Sequence, residues 1–253
     1  MKTGSEIIID VLAEEGVETI FGYSGGAILP TYDEVFKYNE ANPKNPMPLI
    51  VPSNEQGAGF MASGYARSTG KPGVVMVTSG PGATNTVTPV RDAMADSIPM
   101  VIICGQVSRA AIGSDAFQEA PISSVMGSVA KHVFLITNEN KLAATLKAAF
   151  EVATSGRPGP VVVDIPKDIQ TAEISDEDHE EANIAAYANR ISAIEESRLS
   201  EEKSSEFFDH LSNSKKPLIY FGGGVISANA SKELREFVDH FNLPAVSTLM
   251  GLG

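Results

Sequence analysis

The 253 residues carry 43% apolar and 20% charged side chains, enough apolar surface for a buried core and enough length for more than one domain. A net charge of −13 argues against nucleic acid or an anionic membrane as partner, and no run of about 18 apolar residues offers a membrane span. The single cysteine, Cys104, excludes an internal disulfide. It follows the apolar run 100–103, reads as a small buried hydrophobe, and fits a cytoplasmic setting.

Residues 1–6 lead straight into a helical pattern, with neither a signal peptide nor a transit segment in view. Ile7, Ile8, Val11 and Leu12 form the apolar stripe of a first helix, which Gly16 ends. Residues 18–21 read as a short strand entering the turn Ser24-Gly25-Gly26, and a second helix follows over 27–38. The proline-punctuated stretch 42–48 is neither helix nor central strand. Further strands are predicted at 49–52, 73–78, 100–104 and 161–165, all continuous apolar runs of the kind covered on both faces. Helices fit between them at 56–68, 83–95 and 139–154. This alternation predicts an α/β domain over 1–172, a parallel sheet with helices on both faces.

Between Glu173 and Glu206 eleven acidic residues stand against three basic ones, so 173–199 reads as a solvated acidic linker. A second αβαβ run fills 200–253. Its helix carries Phe207, Phe208 and Leu211, followed by a strand at 217–221, the turn Gly222-Gly223-Gly224, a helix to about Phe241 and a strand at 244–248. Two strands are too few for a stable α/β sheet, so this is expected to be the incomplete start of a Rossmann-like domain.

Four glycine-rich or polar turns each follow a predicted strand, at 23–27, 53–57, 78–85 and 105–108. In a parallel sheet these ends share one edge, where open α/β sheets bind ligands. Neither a P-loop nor a clean dinucleotide fingerprint is present. The four histidines (His132, His179, His210, His240) lack ligand spacing, and no metal ligand is predicted. Glu55, between a buried strand and a helix, has two readings. It is either a first-turn acid that complements the helix dipole, worth about 0.3–1 kcal/mol, or a carboxylate set in a dry cleft to exchange a proton with a bound ring.

The segment Asn-Glu-Gln-Gly-Ala-Gly-Phe-Met-Ala-Ser-Gly-Tyr-Ala-Arg (54–67) resembles the part of acetolactate synthases that holds the thiamine-activating glutamate. Phe-Gly-Tyr-Ser-Gly-Gly-Ala-Ile-Leu-Pro (21–30), Thr-Ser-Gly-Pro-Gly-Ala-Thr-Asn (78–85), Ile-Gly-Ser-Asp-Ala-Phe-Gln-Glu (112–119), Ser-Gly-Arg-Pro-Gly-Pro-Val (155–161) and Ser-Thr-Leu-Met-Gly-Leu-Gly (247–253) match the same family in order. The resemblance implies a thiamine-diphosphate pyrimidine-binding domain followed by the start of a central, FAD-binding domain. It further implies that the ligands for Mg2+ lie in a C-terminal domain outside this chain.

By the resemblance, Glu55 hydrogen-bonds the ring nitrogen opposite the amino group and favours the imino form, which takes the C2 proton of the thiazolium. Gly25, Gly26, Ala27 and Pro30 match the turn beside the reacting carbon. Thr78, Pro81 and Asn85 match the loop against the pyrimidine, and Phe117 and Gln118 match residues facing the substrate. Arg157, Gly222, Gly223, Gly224, Thr248, Leu249 and Met250 match contacts to FAD. The implied reaction condenses two pyruvates, or pyruvate with 2-oxobutyrate, with loss of CO2, toward branched-chain amino acids. A homodimer or tetramer through the pyrimidine domain and a regulatory small subunit are implied as partners. Ser24, Asn54 and Ser108 depart from the proline, histidine and proline usual in the family. Another thiamine-diphosphate 2-oxo acid decarboxylase or acetyltransferase stands as an alternative, as does a non-catalytic binding module, and the chain alone is expected to be inactive.

Overall fold

The computed structural model describes residues 1–175, 180–182, 187–189, 192–193 and 199–252, so parts of the predicted linker lie outside the described residues. The chain divides into two compact units, Met1–Ile191 and Ser192–Gly253.

In the first unit the elements in chain order are β1 (Lys2–Thr3), α1 (Gly4–Glu14), β2 (Ile20–Tyr23), α2 (Leu29–Ala41), β3 (Leu49–Ile50), α3 (Glu55–Thr69), β4 (Gly73–Val77), α4 (Pro81–Thr84), α5 (Val87–Asp96), β5 (Met100–Gln106), α6 (Ile122–Gly127), β6 (His132–Leu135), α7 (Leu142–Thr154), β7 (Pro160–Pro166), α8 (Lys167–Thr171) and β8 (Glu173–Ile174). Six strands form one sheet in the order β3-β2-β4-β5-β7-β6, every pair parallel. One apolar layer joins α1, α2 and α7 to one face of the sheet, and a second joins α3, α5 and α6 to the other. Crossovers moving from β3 toward β6 use the second face and those moving back use the first, which keeps every connection of one hand. The predicted parallel sheet with helices on both faces is thus the observed fold.

Local chemistry explains the helix starts. Thr3 caps α1 with a capping box: its hydroxyl accepts from Glu6 N (3.3 Å) while the Glu6 carboxylate accepts from Thr3 N (2.6 Å). Asn54 caps α3 through Oδ1, which accepts from Gly57 N at 2.8 Å, so the residue that departs from the family's histidine does a helix cap's work. Ala58, Ala62 and Ala66 make the buried stripe of α3, and their small side chains bring its backbone close to the sheet.

Several expectations change. The strand at 49–52 shrinks to Leu49–Ile50 and lies at the sheet edge, where only β2 pairs with it; the exposed Ile50 and Val51 show that it is not covered on both faces. The helix at 83–95 is broken into α4 and α5 at Asn85-Thr86, where the chain turns. Strand β6 and helix α6 went unpredicted: β6 is short, half-exposed and begins with a histidine, so it lacks the apolar run of its neighbours. Glu173 and Ile174, the first residues of the expected linker, pair antiparallel with β1.

The second unit contains α9 (Glu201–Asn213), β9 (Ile219–Phe221), α10 (Gly223–Ser227), α11 (Ser231–Phe241) and β10 (Ala245–Ser247). The two strands pair in parallel. Phe207 and Phe208 join α9 to Phe237 and Phe241 of α11 through ring pairs 6.0 and 5.7 Å apart. Among the described residues of this unit none is fully buried.

Candidate functional site

Strand order reverses between β2 and β4: β2 is followed by β3 on one side, and the chain then returns to β4 on the other. Such a switch point opens a crevice beyond the strand C-terminal ends. Tyr23, Val77, Cys104 and Asp164 lie at one level across the four central strands, so the turns after them rise from a common edge.

The turn after β2 and the loop after β4 touch at this crevice. A Cβ at Gly25 would fall 2.5 Å from Thr78 Cγ2, so only glycine fits. Ala27 N donates to Thr78 Oγ1 at 3.2 Å, and both residues are buried. On the other side of the turn, the buried Gln170 Nε2 donates to Ala27 O (2.8 Å) and to Ile165 O (3.1 Å). Its Oε1 accepts from Thr31 Oγ1 at 2.9 Å, and its carbonyl accepts from Ser5 Oγ at 3.0 Å. Gly26 is exposed, and a Cβ there would meet nothing within 4 Å. Pro30 starts α2 at its second position, and Tyr32 in the same helix donates to Met76 O at 2.9 Å. Burial, with the Glu55 carboxylate nearby, pushes the Tyr32 phenol well above its ordinary value.

Glu55 opens α3 and is half-buried. Asn85 Nδ2, at the break between α4 and α5, donates to Glu55 Oε2 at 2.8 Å. Among the described residues Oε1 has no hydrogen-bond partner; its near neighbour is Gly82, where a Cβ would lie 3.5 Å from it and 2.7 Å from Thr78 Cγ2. Glu55, Thr78 and Asn85 are therefore brought together, while Pro81 stands exposed at the start of α4.

A loop of residues 107–121 follows β5 and carries Phe117 and Gln118. Phe117 is 88% exposed, and Gln118 has a φ of 58°. Gly80 also has a positive φ, 51°, and a Cβ there would sit 2.3 Å from Gln118 O, so this loop and the one after β4 pack backbone to backbone. Glu119 folds the loop back on itself by accepting from Gly113 N and from Ala116 N (3.0 Å), bonds that hold its carboxyl below the usual range. Arg109 ties the loop's first turn down, through Nε to Asp168 Oδ2 (2.6 Å) and Nη1 to Glu139 Oε2 (2.6 Å). Burial works to raise the Asp168 carboxyl, but the Arg109 side chain and backbone hold it below the usual range. Ser108 has a φ of −55°, which proline adopts equally well.

Arg157 stands apart from this crevice. Its Nε donates to Ser97 Oγ (2.8 Å) and its Nη2 to the carbonyls of Met94 and Ala95 (3.0 Å each), closing the C-terminus of α5. In the second unit, the Gly222-Gly223 turn packs on Thr248 and Met250: Cβ atoms at the two glycines would lie 3.2 Å from Thr248 Oγ1 and 3.1 Å from Met250 Cβ. Gly224 begins the exposed part of α10, and Leu249 is 83% exposed. Cys104 is fully buried with its thiol pushed up by burial and by Asp164, as befits a core residue. Among the described residues no group of three or more His, Cys, Asp or Glu side chains is gathered for a metal ion, and no helix is long and apolar enough to cross a membrane.

The residues that shape the site but escaped the sequence reading are Gln106, Asp164 and Gln170. Gln106 and Asp164 are polar side chains set in apolar strand runs, a signal visible in Val161-Val162-Val163-Asp164-Ile165; Gln170 lies in the short polar helix α8 and carries no such signal.

Residues 2–127 match the family described as "Thiamine pyrophosphate enzyme, N-terminal TPP binding domain", and residues 205–253 match "Thiamine pyrophosphate enzyme, central domain". The chain is 42% identical over 253 residues to the mitochondrial acetolactate synthase catalytic subunit of Saccharomyces cerevisiae, covering 99% of this chain and 36% of the yeast protein. It is 43% identical over 251 residues to the acetolactate synthase large subunit of Corynebacterium glutamicum, covering 99% and 38%. With the acetolactate synthase of Arthrospira platensis the identity is 42% over 251 residues, covering 99% and 42%. The chain thus spans well under half the length of these relatives.

Proposed function

Because this chain belongs to the thiamine pyrophosphate enzyme family, we propose that it carries the cofactor-activating part of an acetolactate synthase site. The reaction is the condensation of two pyruvates, or of pyruvate with 2-oxobutyrate, with release of CO2. Bound thiamine diphosphate supplies the carbanion chemistry that 2-oxo acid decarboxylation requires. The protein's part is to hold that group and move its protons.

The observation that carries this reading is the Glu55 carboxylate at the crevice, one oxygen held by Asn85 and the other without a partner among the described residues. A carboxylate fixed in this way takes a proton from, or returns it to, a ring nitrogen presented to Oε1. In the turn after β2, Gly25 lets the backbone approach Thr78 and Gly26 leaves open space; Ala27 is the small residue assigned to the reacting carbon. Thr78 and Pro81 bound the pyrimidine, Pro30 shapes the helix start beneath it, and Phe117 and Gln118 face the 2-oxo acid. The polar groups fit the aminopyrimidine: the accepting carboxylate of Glu55 and the hydroxyl of Thr78 beside an uncharged ring.

FAD is assigned to the second unit, on the Gly222-Gly223-Gly224 turn and Thr248, Leu249 and Met250, where bare backbone and one hydroxyl suit a flavin nucleotide. Arg157, in the first unit, matches a further flavin contact of the family, and its Nη1 has no protein partner among the described residues. Mg2+ and the diphosphate are assigned to a domain outside this chain. Exposed Phe36, Val51, Phe60 and Met61 support association of pyrimidine domains into a homodimer or tetramer, and a regulatory small subunit belongs to the same reading. The lone buried thiol of Cys104 fits a cytoplasmic location.

The test is a chimera in which this chain replaces the corresponding region of the Corynebacterium glutamicum large subunit. The chimera is expected to make acetolactate from pyruvate, and Glu55→Gln is expected to reduce its turnover about a hundredfold or more. Near-normal turnover in that variant overturns the Glu55 assignment; acetolactate made by the 253-residue chain alone would overturn the expectation that the chain is inactive by itself.

A further inference from the structure

Gln106 closes β5, and its carboxamide is buried. Its Oε1 accepts from Val107 N at 2.8 Å, at the start of the loop that bears Phe117 and Gln118. Its Nε2 donates to Ala120 O at 3.4 Å, near the loop's end, and to Asp164 Oδ2 at 2.9 Å on the neighbouring strand. One side chain therefore clasps both ends of the loop. The clasp has a direction: turned over, the amide would set its oxygen against the Ala120 carbonyl and the Asp164 carboxyl, and its NH2 against the Val107 N–H.

Asp164 anchors that orientation from the neighbouring strand, alongside Val107 N–H and Ala120 O. It is 1% exposed, sits among Val161, Val162, Val163 and Ile165, and uses one oxygen on Gln106 while Oδ1 is buried with no partner. A carboxyl in such a place costs free energy that a valine would not. Packing does not call for it, but the orientation of Gln106 does.

We propose that Asp164 is a positioning residue which, through Gln106, holds both ends of loop 107–120 and so sets the presentation of Phe117 and Gln118. The bearing on 2-oxo acid chemistry rests on the function proposed above; the linkage itself does not.

Hydrogen–deuterium exchange on the 253-residue chain tests it. Asp164→Val is expected to speed exchange in peptides covering 107–120 about tenfold, the loss of roughly one hydrogen bond's protection, while peptides of α3 and β4 keep wild-type rates. Asp164→Asn, which keeps an acceptor facing Gln106 Nε2, is expected to restore the wild-type rates. Gln106→Ala reads the same linkage from the loop side, and adding Asp164→Val to it is expected to change nothing further in the loop. Unaltered loop exchange in Gln106→Ala overturns the proposal, and so does acceleration spread evenly over the sheet in Asp164→Val. Because exchange needs no turnover, failure here leaves the acetolactate reading standing, and an inactive chimera leaves this one standing.

Discussion

Asn85 and Glu55, thirty residues apart in sequence, are joined by a single hydrogen bond of 2.8 Å from Asn85 Nδ2 to Glu55 Oε2. The bond joins the broken helix after β4 to the first turn of α3. It leaves Oε1 as the one carboxylate oxygen open to a ligand.

Asn85→Leu removes that donor from an exposed position, so stability is expected to change by less than about 0.5 kcal/mol. Turnover of the chimera is expected to fall at least about tenfold, since the carboxylate loses its orientation. Thermal unfolding and steady-state acetolactate formation, measured side by side, check the split. A proportionate loss of both would assign Asn85 to folding alone.

Gln170 has four buried hydrogen bonds and holds the Ala27 carbonyl in place. Gln170→Ala leaves the Ala27 and Ile165 carbonyls and the Thr31 hydroxyl without that partner, at a cost of about 3 kcal/mol. Urea unfolding of the chain is expected to show a lowered midpoint with an unchanged slope. An unshifted midpoint would mean that water replaces the amide without loss.

Burial pushes the Asp164 carboxyl up to about 7, against an ordinary 3.8, despite the hydrogen bond from Gln106. The folded chain therefore holds a proton there that the unfolded chain releases between about pH 4 and pH 7. This contribution is fully present below pH 4 and is lost as pH rises through 7, on the order of 4 kcal/mol in all. His132, whose burial lowers its pKa, works the opposite way in the same range. The difference between wild type and Asp164→Asn isolates the carboxyl: across pH 5–7.5 the wild type is expected to lose stability relative to the variant. A constant difference across that range would show that Asp164 does not titrate there.

Much of this protein is legible in its residues. The spacing of Ile7, Ile8, Val11 and Leu12 gives α1, and the runs at 73–78, 100–104 and 161–165 give the central strands. These are local signals, because hydrophobic periodicity and turn chemistry act within a few residues. Strand β6 and the break at Asn85-Thr86 were not legible, since both depend on what neighbouring elements cover.

Glu55 shows the division most plainly. By itself the sequence determined that it starts a helix after a strand, in a segment matching thiamine-dependent enzymes, and that glycines stand where a cofactor needs room. Only the tertiary structure decided which oxygen Asn85 takes, that Thr78 presses on Gly25, and that Gln106, Asp164 and Gln170 hold the surrounding loops. Those contacts join residues 14 to 143 positions apart. They exist only after a parallel sheet has brought its strand ends to one edge, and chain spacing alone carries no record of them.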